Sequence, residues 1–178
     1  MCDVKYWDDF CPPDLAIRRM FVPLCGKSLD LRWMYKSKGC TVVGCDLAES
    51  AIIAFSKEHP DLELKKTATA LANGEVVTVY QTADQRLRLY VCDLFVMDLV
   101  NEAPFNLIWD RGSFIAIAPS LRTKYIDLLC KLSTPDVRWL QESLNYPPEL
   151  HRGPPCTVSP EEFDALFGKY NVSAGFYE

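Results

Sequence analysis

The sequence predicts an α/β fold in which helices cover both faces of a doubly wound, mostly parallel sheet. Residues 20–25 and 40–45 are continuous apolar runs without polar alternation, as expected for strands that are buried on both faces. Segments with apolar residues at helical spacing follow such runs, and this alternation repeats along the chain. With 178 residues, of which 49% are hydrophobic, the chain is long enough for one domain with a sizeable core.

The first half of the chain is predicted to form two strand–helix units followed by a hairpin. The two units comprise residues 20–25, 27–38, 40–45 and 48–57. The first strand ends at Gly26, where a tight turn is expected. Residues 60–84 are polar and contain a turn at Asn73-Gly74, so we interpret them as an excursion or hairpin that precedes the third sheet strand, residues 86–92.

The second half supplies two further strands and the clearest helix. Residues 105–109 form the predicted fourth strand and residues 137–144 the fifth. Between them, apolar residues at helical spacing predict an amphipathic helix capped by Ser120; its apolar face is Leu121, Tyr125, Leu128, Leu129 and Leu132. A final helix is predicted to open with Ser159 as its cap, a proline at the first helical position and the reciprocal glutamate Glu162.

Composition and charge exclude several classes of protein. The formal net charge is -5 and no run of lysine and arginine is present, which disfavours nucleic acid as a partner. No stretch approaches about 18 continuous apolar residues, so neither a signal peptide nor a membrane span is expected. The eight cysteines include no C-x-x-C pair and there are only two histidines, so we expect no metal site and interpret the cysteines as free buried thiols. These features predict a cytoplasmic protein.

The ends of the predicted strands are the candidate ligand site. In a doubly wound sheet, ligands bind beyond the carboxyl ends of the strands, near the point where the strand order reverses. That rule directs attention to residues 24–26, Asp46 and residues 110–112. A phosphate-binding P-loop is disfavoured because Phe21 stands where that motif needs a glycine, and the three-glycine dinucleotide fingerprint is absent as well, which disfavours an NAD-type oxidoreductase.

Two acidic residues at strand ends each allow two interpretations. Asp46 could accept hydrogen bonds from the two hydroxyls of a ribose, or it could cap the helix that follows; we favour the ribose. Asp93 could lie near an adenine amino group, or it could cap the short turn that begins at Leu94.

Asp110 and Arg111 directly follow a continuous apolar strand, which places a charged pair at the ligand-facing edge of the sheet. One interpretation is an ion pair between the two that locks the turn. The other is that Arg111 binds an anionic or polarisable acceptor, since a nearby guanidinium stays charged and favours a thiolate over a thiol.

At these residues the sequence resembles the thiopurine S-methyltransferase family. The matching stretches occur in the family's order and with its spacing, and they are residues 21–28 (FVPLCGKS), 42–46 (VVGCD), 105–113 (FNLIWDRGS), 115–119 (IAIAP) and 153–155 (GPP). The resemblance covers roughly residues 20–170, which it marks as the core of a single methyltransferase domain spanning residues 1–178. It implies a Rossmann-like class I methyltransferase fold that binds S-adenosylmethionine.

The resemblance also implies roles for individual residues. Leu24 and Gly26 would contact the cofactor after the first strand, and Asp46 takes the place of the family's usual glutamate on the ribose. Asp93 and Leu94 match the pair that flanks the adenine.

The implied reaction is a direct in-line transfer of a methyl group to the sulfur of a small thiol or thione, without a metal. Arg111 matches the family's arginine near the sulfonium and the acceptor, where it would orient the acceptor and favour its anionic form. Asp110 would position Arg111 or receive a proton through water. We expect a monomer.

Both ends of the chain depart from the family pattern. Residues 1–19 precede the first strand, whereas the family carries a longer N-terminal lid over the cofactor; Trp7 and Phe10 lie too close to that strand for the lid's roles to be transferred. The chain stops at Glu178, near the start of the family's final antiparallel strand pair, which would leave a sheet edge exposed. The alternative function is therefore a shortened, non-catalytic form that binds the cofactor or another protein.

Overall fold

One sheet organises the fold in the residues that the computed structural model describes, 6–102 and 104–170. Its seven strands are β1 (Arg19–Val22), β2 (Thr41–Asp46), β3 (Lys65–Ala70), β4 (Val76–Gln81), β5 (Leu87–Val91), β6 (Phe105–Arg111) and β7 (Ser133–Glu142). They lie in the order β3-β4-β5-β2-β1-β6-β7. The five strands from β5 to β7 are parallel, while β4 is antiparallel to both β3 and β5.

The strand order reverses at β1, which has β2 on one side and β6 on the other. Such a reversal is the topological switch point at which doubly wound sheets bind ligands. The predicted hairpin is confirmed: β3 and β4 pair through a turn in which Asn73 Oδ1 accepts a hydrogen bond from the Glu75 N–H at 3.1 Å. It extends the sheet at the edge away from the switch point.

Six α-helices lie in the described residues: α1 (Trp7–Phe10), α2 (Leu29–Lys36), α3 (Glu49–Glu58), α4 (Ser113–Ala116), α5 (Arg122–Lys131) and α6 (Pro160–Phe167). Short 3-10 turns cover Pro60–Leu62, Leu94–Leu99, Pro119–Leu121 and Gly168–Tyr170. Within the part of the chain described, no helix combines the length and the apolar character that a membrane crossing requires.

Two apolar clusters, one on each face of the sheet, form the core. The first includes Trp7 from α1, Leu31 from α2 and Ile52 from α3. The second includes Tyr125 from α5 and Phe167 from α6. Adjacent residues of the central strands alternate between the two clusters, so these strands are buried on both faces, and the predicted doubly wound α/β class is confirmed.

The cysteine thiols lie partly in the core and partly nearer the surface. The seven cysteines in the described residues are all free, and five of them are buried: Cys11, Cys25, Cys40, Cys45 and Cys92. Cys130 is exposed and Cys156 is half-buried. The expectation of buried free thiols therefore holds for most of these positions but not for these two.

The boundaries of the last two strands differ from the prediction. β6 continues two residues further than predicted, so that Asp110 and Arg111 are strand residues. The reason is that β7 pairs with β6 to its end, with Asp110 opposite Gln141 and Arg111 opposite Glu142. β7 itself begins at Ser133, before the predicted strand, and it ends at Glu142.

The predicted caps are confirmed in one helix and wrong in the other. Ser159 Oγ accepts a hydrogen bond from the Glu162 N–H at 3.1 Å, so it caps α6 as expected. The Glu162 carboxylate does not complete the expected reciprocal bond; it pairs with the fully buried Arg122. Ser120 caps nothing because it lies within a 3-10 turn, and Leu121, expected on the apolar face of α5, is 41% exposed.

Candidate functional site

The turn between β1 and α2 crosses the carboxyl end of β2. The Cys25 N–H donates a hydrogen bond to the Cys45 carbonyl at 2.9 Å, which holds the turn against that strand. Leu24 and Gly26 both have positive φ angles, of 42° and 50°. The positive φ favours glycine at position 26.

Asp46, the last residue of β2, is held by two backbone N–H groups. Its Oδ2 accepts a hydrogen bond from Gly26 and its Oδ1 accepts one from Ala48, both at 2.8 Å. Asp46 does not cap α3 itself, because Ala48 is the residue that precedes this helix and no side chain caps it. A carboxylate oxygen can accept two hydrogen bonds, so the half-buried Asp46 keeps acceptor capacity for a ligand.

Asp93 and Leu94 lie on the neighbouring strand end. Asp93 Oδ1 accepts a hydrogen bond from the Phe95 N–H at 2.9 Å, which is the capping interaction that the sequence offered as one of two interpretations. The Asp93 side chain is exposed, whereas Leu94 is only 3% exposed and packs in the core. The backbone N–H of Cys92 donates to the Asp46 carbonyl at 3.1 Å, so both acids lie on one edge of the sheet.

Arg111, the last residue of β6, is flanked by two carboxylates from different elements. Its Nη1 lies 3.2 Å from Oδ2 of Asp30, in the first turn of α2. Its Nε lies 3.3 Å from Oε2 of Glu142, on β7. The Arg111 side chain is 41% exposed, so part of the guanidinium faces solvent.

Asp110 faces the other side of the sheet, because successive strand residues point in opposite directions. It is fully buried, and its carboxylate accepts hydrogen bonds from the Tyr125 hydroxyl at 2.8 Å and from the Phe114 N–H at 3.0 Å. The structure therefore gives Asp110 a place in the core beneath α4 and α5. The expectation that it positions Arg111, or receives a proton through water, does not fit this placement.

Burial raises the pKa of Asp110 to about 6, although hydrogen bonds from Tyr125 and Phe114 act in the opposite direction. Between about pH 4 and pH 6, Asp110 is therefore protonated in the folded state and ionised in the unfolded chain. Its contribution to the free energy of unfolding is fully present below about pH 4 and is lost as the pH rises through 6.

We therefore expect Asp110→Asn to flatten this part of the pH profile of stability. Between pH 4.5 and pH 7.0, the wild type should lose about 2 kcal/mol of unfolding free energy relative to the variant. Urea unfolding at the two pH values measures the difference. Asp164→Asn, at an exposed position of α6, is the control and should follow the wild type. An Asp110→Asn effect that is equal at both pH values contradicts the raised pKa.

The three predicted strand ends are connected by direct contacts. Gly26 and Asp46 share a hydrogen bond, and Asp30, four residues beyond Gly26, contacts Arg111. The Ser113 hydroxyl, just after β6, donates to the Pro23 carbonyl at 2.6 Å and thereby ties the β6 turn to the β1 turn. The turn after β1, Asp46 and Arg111 therefore lie along the carboxyl edge of the sheet at the switch point.

Asp30 and Glu142 were not among the site residues predicted from the sequence. Asp30 was visible only as an acidic residue in the first turn of a helix, and Glu142 only as a residue of a strand. Their common partner Arg111 is distant in the chain from Asp30, and no periodic signal joins them. Trp7 and Phe10, whose roles were left open, are buried and pack against Trp109, with ring centroids 6.1 and 5.6 Å from it.

A second charged cluster lies at the opposite end of the sheet. There the buried Glu102 carboxylate accepts hydrogen bonds from Arg88 at 2.6 and 2.7 Å and from the Tyr90 hydroxyl at 2.6 Å, and it also pairs with Arg19. A groove of about 470 Å³ runs beside these residues. Their polar groups bond one another, so the cluster joins the starts of β1 and β5 to the loop before β6.

Comparison with proteins of known structure finds two structures of PKMT2 from Rickettsia typhi, one of which is described as a complex with AdoHcy. The TM-score is 0.45 at 19% identity, over 71% of this chain and 21% of that one.

Curated relatives are more similar in sequence. A probable thiopurine S-methyltransferase of Danio rerio is 39% identical over 84% of this chain and 63% of its own length. The thiopurine S-methyltransferase of Bos taurus is 34% identical over 92% of this chain and 65% of its own. The chain thus spans less than two thirds of the length of these two relatives. The sequence model of thiopurine S-methyltransferase matches residues 4–176. The chain belongs to the thiopurine S-methyltransferase family.

Proposed function

We propose that this chain binds S-adenosylmethionine at the carboxyl edge of the sheet and that a methyl group passes from it to the sulfur of a small thiol or thione. The observation that carries the proposal is the geometry of Asp46. Its carboxylate is fixed at the end of β2 by Gly26 and Ala48, one strand from the switch point. Membership of the family supports both the cofactor and the sulfur acceptor.

The residues at this edge suit the cofactor chemically. The remaining acceptor capacity of Asp46 matches the two hydroxyls of a ribose, and its negative charge disfavours a phosphate there. Gly26 and Leu24 bring the backbone of the β1 turn next to that position. The exposed Asp93 side chain can accept a hydrogen bond from the adenine amino group, with Leu94 beside it.

Arg111 is the residue that we assign to the acceptor. Bound S-adenosylmethionine supplies a methyl group activated by the sulfonium. The acceptor sulfur would bond to that methyl carbon as the bond between the carbon and the sulfonium sulfur breaks, and the electrons of the broken bond would remain on the departing thioether. Arg111 orients the acceptor and lowers the pKa of its thiol, so that the proton leaves to solvent before transfer. Asp110 acts indirectly, by supporting the end of β6 from within the core.

The first test is binding by the unmodified chain. Isothermal titration with S-adenosylmethionine and S-adenosylhomocysteine should give saturable heat with a Kd in the range of about 1 µM to 1 mM. NAD and ATP are the matched negative controls, because the sequence lacks both of their glycine patterns. No heat from either cofactor form at millimolar concentration would contradict the proposal.

A methyl-transfer assay with a panel of thiols and thiones then separates the enzyme from the non-catalytic alternative. Binding without turnover by this chain, and also by a chain extended to the length of the relatives, would favour the alternative. Size-exclusion chromatography with light scattering and imaging of the tagged chain check the predicted monomer and its cytoplasmic location.

A further inference from the structure

We propose that Asp30 is a positioning residue that fixes Arg111 towards the acceptor, and that Glu142 occupies the exposed side of the same guanidinium until an anionic acceptor displaces it. The proposal rests on the function proposed above, which assigns Arg111 to the acceptor. It gives the two carboxylates beside Arg111 opposite effects on acceptor binding.

Asp30 is buried in the core, where it contacts both Trp109 and Arg111. Its carboxylate is 7% exposed, and its Oδ2 accepts hydrogen bonds from Trp109 Nε1 at 3.1 Å and from Arg111 Nη1 at 3.2 Å. Trp109 is 1% exposed and packs against Trp7 and Phe10. Removing one partner of such a buried contact leaves polar groups unpaired at a high cost, so the Asp30 contact resists exchange.

Glu142 holds the guanidinium weakly. Its side chain is 49% exposed, and its contact with Arg111 Nε is 3.3 Å long. Ion pairs that solvent reaches contribute about 0–1 kcal/mol, so an anion of similar geometry can take the place of this carboxylate at little cost.

The local charge favours such an exchange. Asp30 and Glu142 place two negative charges beside the positive charge of Arg111, and both repel an approaching thiolate. When Glu142 turns away, this repulsion is reduced, and the acceptor can approach the Nε edge that Glu142 contacted.

Two isosteric substitutions test the proposal against a simple effect of charge. Asp30→Asn and Glu142→Gln each remove one negative charge beside the same guanidinium, so electrostatics alone would lower the KM of an anionic acceptor in both. We expect Glu142→Gln to lower that KM about two- to fivefold with kcat nearly unchanged. We expect Asp30→Asn to raise that KM and to reduce kcat/KM about 10- to 100-fold, because Arg111 loses its orientation. Changes of KM in the same direction in both variants would overturn the proposal.

A measurement without ligand tests this proposal independently of whether the chain transfers methyl groups. The side-chain N–H signals of Arg111, assigned by comparison with Arg111→Lys, should show a lower NMR order parameter in Asp30→Asn than in the wild type, and the wild-type value in Glu142→Gln. Equal order in all three proteins would overturn the role of Asp30 whether or not the chain turns over substrate. If Asp30→Asn fails to fold, Glu142→Gln alone tests the proposal. A raised or unchanged KM in Glu142→Gln would then overturn the exchange. If the chain shows no turnover, a lowered order parameter of Arg111 in Glu142→Gln would overturn it instead.

Discussion

Replacing Arg111 with alanine is expected to lower kcat/KM for a thiol or thione acceptor by about 100- to 1,000-fold, the size of effect seen when one preorganised hydrogen-bond donor is removed from a reacting centre. Arg111 ends β6 at the switch point, and its guanidinium is partly exposed there while Asp30 holds it from the core side. The loss should fall mainly on the acceptor, so the Kd of S-adenosylmethionine should change less than tenfold. Steady-state kinetics with varied acceptor, together with titration of the cofactor, measure the two quantities.

Two further arginine variants make this result interpretable. Arg111→Lys keeps the charge but loses the planar pair of donors, so its kcat/KM should lie between those of the wild type and the alanine variant. Arg32→Ala is the matched control, because the Arg32 side chain on α2 also pairs with a carboxylate, that of Asp61, and its 43% exposure is close to the 41% of Arg111. If Arg111→Ala and Arg32→Ala have the same kcat/KM, Arg111 does not act on the acceptor.

Replacing Asp46 with alanine should raise the Kd of both S-adenosylmethionine and S-adenosylhomocysteine by about 10- to 100-fold. The estimate corresponds to the loss of charge-assisted hydrogen bonds to the ribose, at about 1.5–3 kcal/mol. The substitution also frees the Gly26 and Ala48 N–H groups, so the turn after β1 loses the carboxylate that holds it. Isothermal titration gives the affinities, and thermal unfolding without ligand reports any loss of the turn.

Asp46→Glu is the informative companion variant. A longer carboxylate preserves the charge and the two acceptor oxygens, and the family resemblance associates glutamate with this position, so we expect the Kd to stay within about fivefold of the wild type. Asp61→Ala, which removes an exposed carboxylate that pairs with Arg32, should leave the Kd unchanged. An unaltered Kd in Asp46→Ala would show that the cofactor does not use this carboxylate.

The sheet and most of its helices could be predicted from sequence because their signals are local. Continuous apolar runs marked β1 and β2, and helical spacing marked α2 and α5. The end of β6 was misplaced because polar residues usually end a buried run, whereas here pairing with β7 carries the strand through Asp110 and Arg111. The cap at Ser120 failed because a 3-10 turn beginning at Pro119 intervenes before the helix.

The site could be predicted only in part, because the contacts that build it join residues that are distant in the sequence. The rule for doubly wound sheets selected the correct strand ends, and Gly26 and Asp46 do meet. The rule could not assign Asp110 and Arg111 to the two faces of β6, because the assignment depends on which of these residues faces α2 and which faces α5. Asp110 and Arg111 consequently have different environments, one inside the core and one at the edge. The pairing of Arg111 with Asp30 required the fold itself.

Helix α2 serves two purposes at once: it covers one face of the sheet, and it carries the carboxylate that contacts Arg111. Leu31 and Met34 of this helix are fully buried, so a change of side-chain volume at either would shift the helix and, through Asp30, the guanidinium of Arg111. Attempts to make the protein more heat-tolerant should therefore leave the layer under α2 untouched.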